Sequence, residues 1–440
     1  MDLTNKKVTV LGAKRSGIAV ANLVSRLNGI PKISDNGFQD ASKKDLEKLI
    51  SPQNVLIEWG GHTQSFIEDS DLVVLSPGVR IDAQPIRWAR AKKIPVMGEI
   101  ELAWRFCPKP VVALTGSNGK TTVVTLIARI LQEAGKKVSL CGNVGIPFCE
   151  EVLNLQDKDL VVLEVSSFQL ESIIDFRPHV AVILNFSQNH LDRHKDLNEY
   201  FEVKKRIFLN QCSGDYAVLN YEESRLRNLA PKLKAKVLYF NSPDVLAETS
   251  LRNPNQLAAI RVAKIFGVNP DVVAKVFAEF TGVEHRLEWV RTLDGVHFIN
   301  DSKATTAEAG RWAMESFDQP IIMICGGRDK NIDFSILREL ARKKVKKMLV
   351  IGEARDKLKK AFSDVVTVEE CRTLEDAVSW AKKSASRGDR VVLSPMCASF
   401  DMFLNFEERG RVFKKIVQEL IPCQIEATST TKNKIYQTRE

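Results

Sequence analysis

The sequence predicts an α/β protein of three units, each a mostly parallel sheet covered by helices, and three observations carry that prediction. Short apolar runs rich in β-branched residues alternate with amphipathic stretches at helical spacing, the pattern of parallel strands joined by crossover helices. One of these runs opens directly into a glycine loop, TGSNGKTT at residues 115–122, which itself leads into a helical stretch. A length of 440 residues leaves room for about three units of roughly 150 residues each. The expected boundaries are 1–98, 99–282 and 283–421. The polar, aperiodic stretch 422–440 reads as a disordered tail.

Composition narrows the class. The formal charge is +9, but the lysines and arginines are spread along the chain. Their densest cluster, residues 342–347, reads as the solvated face and end of a helix. Nucleic acid is therefore not an expected partner, whereas an excess of positive charge suits an enzyme with anionic substrates. No apolar run approaches the roughly 18 residues that cross a bilayer, since even 178–186 is broken by His179 and Asn185. Residues 1–7 are polar and run straight into a strand, without the look of a signal or transit peptide. A cytoplasmic protein with no membrane partner is the expectation. The eight cysteines are scattered singly. Cys141, Cys325 and Cys397 sit inside apolar runs, as small hydrophobes in a reducing compartment do.

In the first unit, residues 8–11 form a strand, followed by GAKRSG at 12–17 and a helix over 18–27. This GxxxxG turn has the place of a dinucleotide or diphosphate fingerprint but lacks its middle glycine. Asp35 ends the next strand, where a Rossmann fold keeps the acid that contacts a ribose. Residues 71–75 read as a buried parallel strand ending in the turn Ser76-Pro77-Gly78, and open α/β sheets bind ligands at such edges. An NAD-type oxidoreductase, a nucleotide-sugar pocket of Rossmann-like build and a loop without ligand all remain open here. No separate site for the substrate of a hydride transfer is visible.

The second unit is organised around the glycine loop. Gly116 and Gly119 let the backbone turn tightly, so that the amides of Ser117, Asn118 and their neighbours can face phosphate oxygens at a helix start. Lys120 would reach the terminal phosphates, and the hydroxyl of Thr121, followed by Thr122, would ligate Mg²⁺. The spacing GxxGKT is shorter than the common P-loop. Strand 138–140 leads into the loop GNVGIP at 142–147, and strand 159–165 carries one carboxylate, Glu164, near its end. A carboxylate among apolar neighbours is costly to bury unless it is paired or holds a metal. Strand 180–185 runs into a loop bearing His190, a candidate contact for a metal or phosphate. Helix 197–209 puts Lys204 on its partly apolar side, where snorkelling to solvent is the default.

Helices at 257–266 and 271–280 close that unit. The third unit has strands at 296–300, 320–325, 348–351 and 390–393, with helices at 307–314 and 407–417. Polar clusters follow three of the strands: DSKATT at 301–306, GGRDK at 326–330 and SPMCASFD at 394–401.

Taken in order, TGSNGKTT, GNVGIP, LEVSSFQLE, NHLDRH and YFEVKKRIF resemble the central domain of the Mur ligases, ATP-dependent amide-forming enzymes of peptidoglycan precursor synthesis that are related to folylpolyglutamate synthase. HRLE, INDSKATT, GGRDK and SPMCASFDMFLNFEERG resemble the third domain of the branch that adds D-glutamate to UDP-N-acetylmuramoyl-L-alanine, with DSKAT the discriminating feature. The resemblance implies a Rossmann-like first domain for the sugar nucleotide, a P-loop ATPase-like middle domain and a Rossmann-like third domain for the amino acid. It implies that ATP lies on Gly116, Ser117, Asn118, Gly119, Lys120, Thr121 and Thr122, with Asp301 on its ribose and Arg286 and Lys303 toward nucleotide and phosphates. Two Mg²⁺ ions would be held by Thr121, Glu164, His190 and Lys204, the last carried as a carbamate. Catalysis would fall to Lys120, Glu164, His190, Lys204 and Lys303.

The sugar nucleotide would meet Arg15, Ser16, Asp35, Asn36, Ser76, Gly78 and Asn143, and D-glutamate would meet Thr305, Lys330, Ser399 and Phe406. Closure about the links near Gly98 and Gly282, in a monomer, is also expected. Asn189 stands where close relatives show Asp, which removes one local negative charge. The His-Asn pair expected for adenine is replaced at 251–255 by two candidates, Asn253 and Asn255.

Overall fold

The chain's apolar runs assemble into three sheets in a computed structural model that describes residues 1–37, 45–186, 193, 195–280, 282–329 and 332–422. It divides into two compact units, residues 1–280 and 281–440, and the first holds two of the sheets. His190, Lys330 and the tail beyond 422 lie outside the described residues.

The first sheet comprises β1 (Lys7–Leu11), β2 (Ile30–Asp35), β3 (Leu56–Trp59), β4 (Leu72–Leu75) and β5 (Val96–Gly98), in the order β3-β2-β1-β4-β5. All its pairings are parallel. The order reverses between β1 and β4, so the loops after those strands, at Gly12 and Ser76, border the crevice where such sheets take ligands. Gly17 begins the buried face of the helix Arg15–Arg26. A Cβ on it would lie 1.8 Å from the Gly12 carbonyl oxygen, which explains a glycine at this end of GAKRSG.

The second sheet comprises β6 (Val111–Thr115), β7 (Val138–Gly142), β8 (Leu160–Glu164), β9 (Val180–Ile183), β10 (Tyr216–Asn220) and β11 (Lys236–Phe240). Its order is β11-β10-β9-β6-β8-β7, again all parallel. Helix Lys120–Glu133 starts at Gly119 and buries Val123, Val124, Ile127 and Leu131 against the sheet. Helix Leu197–Lys205 is begun by Asp196, whose carboxylate accepts the amides of Asn198 and Glu199. One apolar cluster runs from Val8, Val10 and Val24 through Ile100 and Leu102 to Ala113, Phe148 and Leu163, so both sheets of this unit share a core.

The second unit holds β12 (Glu288–Leu293), β13 (Val296–Asn300), β14 (Ile321–Gly326), β15 (Val345–Ile351), β16 (Thr367–Glu370) and β17 (Arg390–Leu393), in the order β12-β13-β17-β14-β15-β16. Only β12 runs antiparallel. Thr306 and Asn405 cap the helices Ala307–Glu315 and Phe406–Glu419, which explains where the polar loops before them end.

The structure corrects the expectation for residues 342–347. Their helix, Arg338–Lys344, ends inside the cluster, and Val345 to Lys347 already belong to β15, with Val345 buried and Lys346 exposed. The charges of Lys346 and Lys347 are met by Asp389 and Glu369.

Two carboxylates near the start of helix Glu99–Trp104 tie the sheets of the first unit together. Glu101 accepts the amides of Ile174, Asp175 and Phe176 at 2.8–3.1 Å. Glu99 accepts the Cys149 amide at 2.7 Å through one oxygen, while its other oxygen is buried without a hydrogen bond. Burial pushes its carboxyl from 4.5 up to about 7. The folded state therefore binds a proton more tightly than the unfolded chain, and this stabilising contribution, complete below about pH 4.5, is lost as pH rises to 7. Relative to Glu99→Gln, the wild-type protein should lose on the order of 3 kcal/mol across that window, read as the pH dependence of the difference in urea unfolding free energy. A constant difference would contradict it.

Candidate functional site

The C-terminal edge of the second sheet gathers the residues of the glycine loop. Gly119 adopts φ +77°, the left-handed region, and a Cβ on it would lie 2.6 Å from Asn255 Oδ1. Glycine is thus required there by both backbone angle and space. The Ser117 and Asn118 amides donate to Asn185 Oδ1 at 3.1 and 2.9 Å. The Lys120 ammonium folds back onto the carbonyls of Gly116 and Ser117, each at 2.9 Å. Thr122 is half-buried in the first turn of the helix.

Glu164, at the end of the neighbouring β8, is buried and fully engaged. Thr121 Oγ1 donates to one of its oxygens at 2.8 Å, and Asn143 Nδ2 to the other at 2.7 Å. A carboxylate touching a hydroxyl at a phosphate-binding loop is a hard oxygen donor set, and it fits a magnesium ion.

Lys204 does not snorkel. It is 1 % exposed, and its Nζ donates to Thr115 Oγ1 at 3.1 Å and Gly116 O at 2.9 Å while lying 4.6 Å from the Tyr200 ring centroid. Burial first, and then the nearby Lys120 ammonium, hold its pKa well below the usual lysine range, with Glu164 opposing. The helix brings the amine beneath the loop because Tyr200, Ile207 and Phe208 pack beside it in the core.

At the crevice of the first sheet, Ser76 donates through its amide to Leu11 O at 3.0 Å and through its hydroxyl to Gly12 O at 3.4 Å. Asp35 accepts the amides of Ala13 and Gly37, both at 2.6 Å, so this carboxylate braces the glycine loop. Arg15, Asn36 and Gly78 are exposed around it, and Ser16 is half-buried.

In the second unit a separate cluster forms after β13 and β17. Asp301 is buried and accepts the Ser394 hydroxyl at 3.0 Å and the Leu287 amide at 3.3 Å. Burial raises it from 3.8 to about 7, against the pull of Ser394, Leu287 and Arg286. Lys303 Nζ lies 5.3 Å from the Phe406 ring centroid. The buried guanidinium of Arg409 donates to Ser302 Oγ, Ser302 O and Cys397 O at 2.8–3.2 Å, joining the loop of Lys303 and Thr305 to that of Ser399. Glu284, His285 and Glu288 lie close together, but the Lys414 ammonium already bonds both glutamates.

Sequence reasoning missed Asn185, Arg409 and Arg193. Each is a common residue type whose importance comes from where the fold puts it. Of the two adenine candidates, Asn253 caps helix Pro254–Ile265 by accepting the Asn255 amide, whereas the Asn255 side chain reaches the glycine loop.

Comparison with known proteins adds the following. Residues 6–98 match the Mur ligase MurD-like N-terminal domain, 114–272 the Mur ligase middle domain and 285–397 the Mur ligase glutamate ligase domain. A relative from Thermoanaerobacter sp. (strain X514), named UDP-N-acetylmuramoylalanine--D-glutamate ligase, is 39% identical across 96% of this chain and 100% of its own. Relatives of the same name from Koribacter versatilis and Pelotomaculum thermopropionicum are 38% and 40% identical, over 96% and 95% of this chain and 99% of theirs. Among solved structures, the UDP-N-acetylmuramate-alanine ligase MurC of Thermotoga maritima has TM-score 0.56 at 18% identity, covering 94% of this chain and 99% of that one. The MurF ligase of Thermotoga maritima, in complex with ADP, has TM-score 0.57 at 16% identity over 80% and 92%. These likenesses are of fold.

Gly119→Ala should lower stability by about 1–3 kcal/mol, the cost of a left-handed angle in a residue with a side chain, and weaken binding of a fluorescent nucleotide. Adding Asn255→Ala should restore part of the stability, because the clash goes and the angle stays. Thermal melts in which Gly119→Ala matches wild type would contradict this.

Proposed function

The chain belongs to the Mur ligase family, and from that premise we propose that it joins D-glutamate to UDP-N-acetylmuramoyl-L-alanine in peptidoglycan precursor synthesis, with ATP converted to ADP and phosphate. The observation that carries the phosphoryl-transfer half is the convergence of Lys120, the Thr121–Glu164 pair and the buried Lys204 at one sheet edge. The choice of acceptor and amino acid rests on the full-length relatives of that name.

A carboxylate is a poor electrophile because it is an anion without a good leaving group. Moving the γ-phosphoryl group onto an oxygen of the alanyl carboxylate breaks the bond to ADP and forms an acyl phosphate. The neutral amine of D-glutamate then attacks the carbonyl carbon, phosphate leaves with the bonding pair, and the amine's proton passes to solvent. Lys120, with the loop amides of Ser117 and Asn118, would bind the β- and γ-phosphates, so that the reacting groups meet in line. Thr121, Glu164 and His190 would hold a magnesium ion, whose charge offsets the repulsion between phosphates and carboxylate.

We assign Lys204 a second ion-holding role as a carbamate. Burial, which holds this amine's pKa well below the usual lysine range, eases loss of its proton; the free amine can then attack CO₂ and release a second proton, so that a carbamate anion replaces the cation beside Lys120. Arg15, Ser16, Asp35, Asn36, Ser76, Gly78 and Asn143 are assigned to the sugar nucleotide. Arg286, Asp301 and Lys303 are assigned to the ATP side, and Thr305, Lys330, Ser399 and Phe406 to D-glutamate. We further propose a cytoplasmic monomer. Among the described residues, no helix is long and apolar enough to cross a membrane.

Phosphate release should be stimulated by D-glutamate and not by L-alanine, L-lysine or meso-diaminopimelate, provided UDP-N-acetylmuramoyl-L-alanine is present. Lys120→Ala should cut turnover by about a hundredfold or more while keeping the wild-type melting curve. Stimulation by another amino acid would replace the proposed substrate, and an active Lys120→Ala enzyme would remove the mechanism. For Lys204, ¹³C-bicarbonate should give a carbamate carbon resonance that Lys204→Ala lacks.

A further inference from the structure

Arg193 belongs to the loop after β9, yet most of its side-chain contacts are on the first sheet's turn. Its guanidinium donates to three successive carbonyls after β4: Nη1 to Pro77 at 3.1 Å and Gly78 at 3.3 Å, and Nη2 to Val79 at 3.0 Å. Its remaining donors form a two-point pair with Glu171, Nε to Oε1 at 3.1 Å and Nη2 to Oε2 at 2.7 Å. The cation also lies over the Phe168 ring, 4.4 Å from the centroid. The Arg193 and Glu171 side chains are only 11 % and 12 % exposed. Glu171 borders a small cavity lined also by Ser76, Pro77, Val79, Glu99 and Phe168.

The turn held in this way is the one that Ser76 ties to the Gly12 carbonyl on its other side. Phe168 and Glu171 follow β8, the strand that ends in Glu164. Arg193 is therefore a link, beside those of Glu99 and Glu101, by which the crevice of the first sheet is registered against the phosphate edge of the second. Only a planar fork with five donors can serve three carbonyls and both oxygens of a carboxylate together, and a lysine cannot.

We propose that Arg193 is a positioning residue for the sugar-nucleotide substrate: it holds the 76–79 turn so that the bound substrate's carboxylate is presented to the phosphoryl group. It touches neither phosphate nor reacting atoms in this role, and the inference rests on the ligase reading above. The effect should fall on one substrate alone. Arg193→Ala should raise KM for UDP-N-acetylmuramoyl-L-alanine about tenfold or more, with KM for ATP within about twofold of wild type. Arg193→Lys should recover little of this loss. Glu171→Gln, which keeps one acceptor but removes the charge, should raise the same KM by about threefold.

Calorimetric titration of the sugar nucleotide into each variant, without ATP, should show the same order of weakening. If Arg193→Ala does not fold, Glu171→Gln decides the matter. An unchanged KM for the sugar nucleotide in an active variant overturns the inference and leaves the ligase reading intact, as does a parallel rise in KM for ATP. A wild-type enzyme that neither binds nor turns over the sugar nucleotide removes that reading, and this inference with it.

Discussion

The hydrogen bond from Thr121 to Glu164 is the contact on which the rest of the phosphate edge depends. A buried carboxylate persists only when its lone pairs are met, and here the partners come from two other segments, the helix after β6 and the loop after β7. That requirement fixes where the loop GNVGIP must run: the Asn143 amide bonds the Glu164 carbonyl while its side chain bonds the carboxylate. The same residue that the family likeness assigns to the sugar nucleotide thus also holds the carboxylate proposed for magnesium. The proposed substrate and ion sites share a wall.

Three deeply buried cations show how burial alone fails to identify function. Lys32 bonds the carbonyls of Phe66 and Asp69 and pairs with the Asp69 carboxylate. Arg409 bonds backbone carbonyls and a hydroxyl that join two loops. Both have acceptors arranged around them and act as braces. Lys204 shares its Gly116 acceptor with a second ammonium, Lys120. Two cations on one carbonyl oxygen are a strained arrangement in electrostatic terms. It becomes favourable once anions enter the loop or the amine itself changes charge, which is why this cation, and not the other two, is the one proposed to take part in the chemistry.

How much could be read in the sequence depended on whether local signals or tertiary packing decided the outcome. Interior strands such as β4, β8 and β14 are buried along their whole length and appear as unbroken apolar runs. The edge strands β3, β12 and β16 are only partly covered, so their sequences LIEW, EWVRTL and TVEE mix polar and apolar residues and were not anticipated. The glycine loop and Glu164 were legible because their chemistry demands fixed residue types at fixed spacing. The burial of Lys204 was not, since one helix face cannot reveal what packs over it. Asn185 carries no motif, and Arg193 sits within NHLDRH without any local sign of its partners on the 77–79 turn; the turn carbonyls and the loop amides they meet are 67 or more residues away in the chain.

Asp301 illustrates how the second unit prepares a different kind of contact. Its carboxyl sits near neutrality because burial outweighs the Ser394 hydroxyl, the Leu287 amide and the charge of Arg286. A group poised there can accept a hydrogen bond as an anion or donate one as an acid, so it can match a sugar hydroxyl without holding a full uncompensated charge. Glu164, proposed for magnesium, has its two oxygens bonded by a hydroxyl and a side-chain amide at 2.8 and 2.7 Å, whereas Asp301, proposed for a sugar, meets a hydroxyl and a backbone amide at the longer distances of 3.0 and 3.3 Å. That difference in donor distance is what would let one chain use two buried acids for opposite purposes.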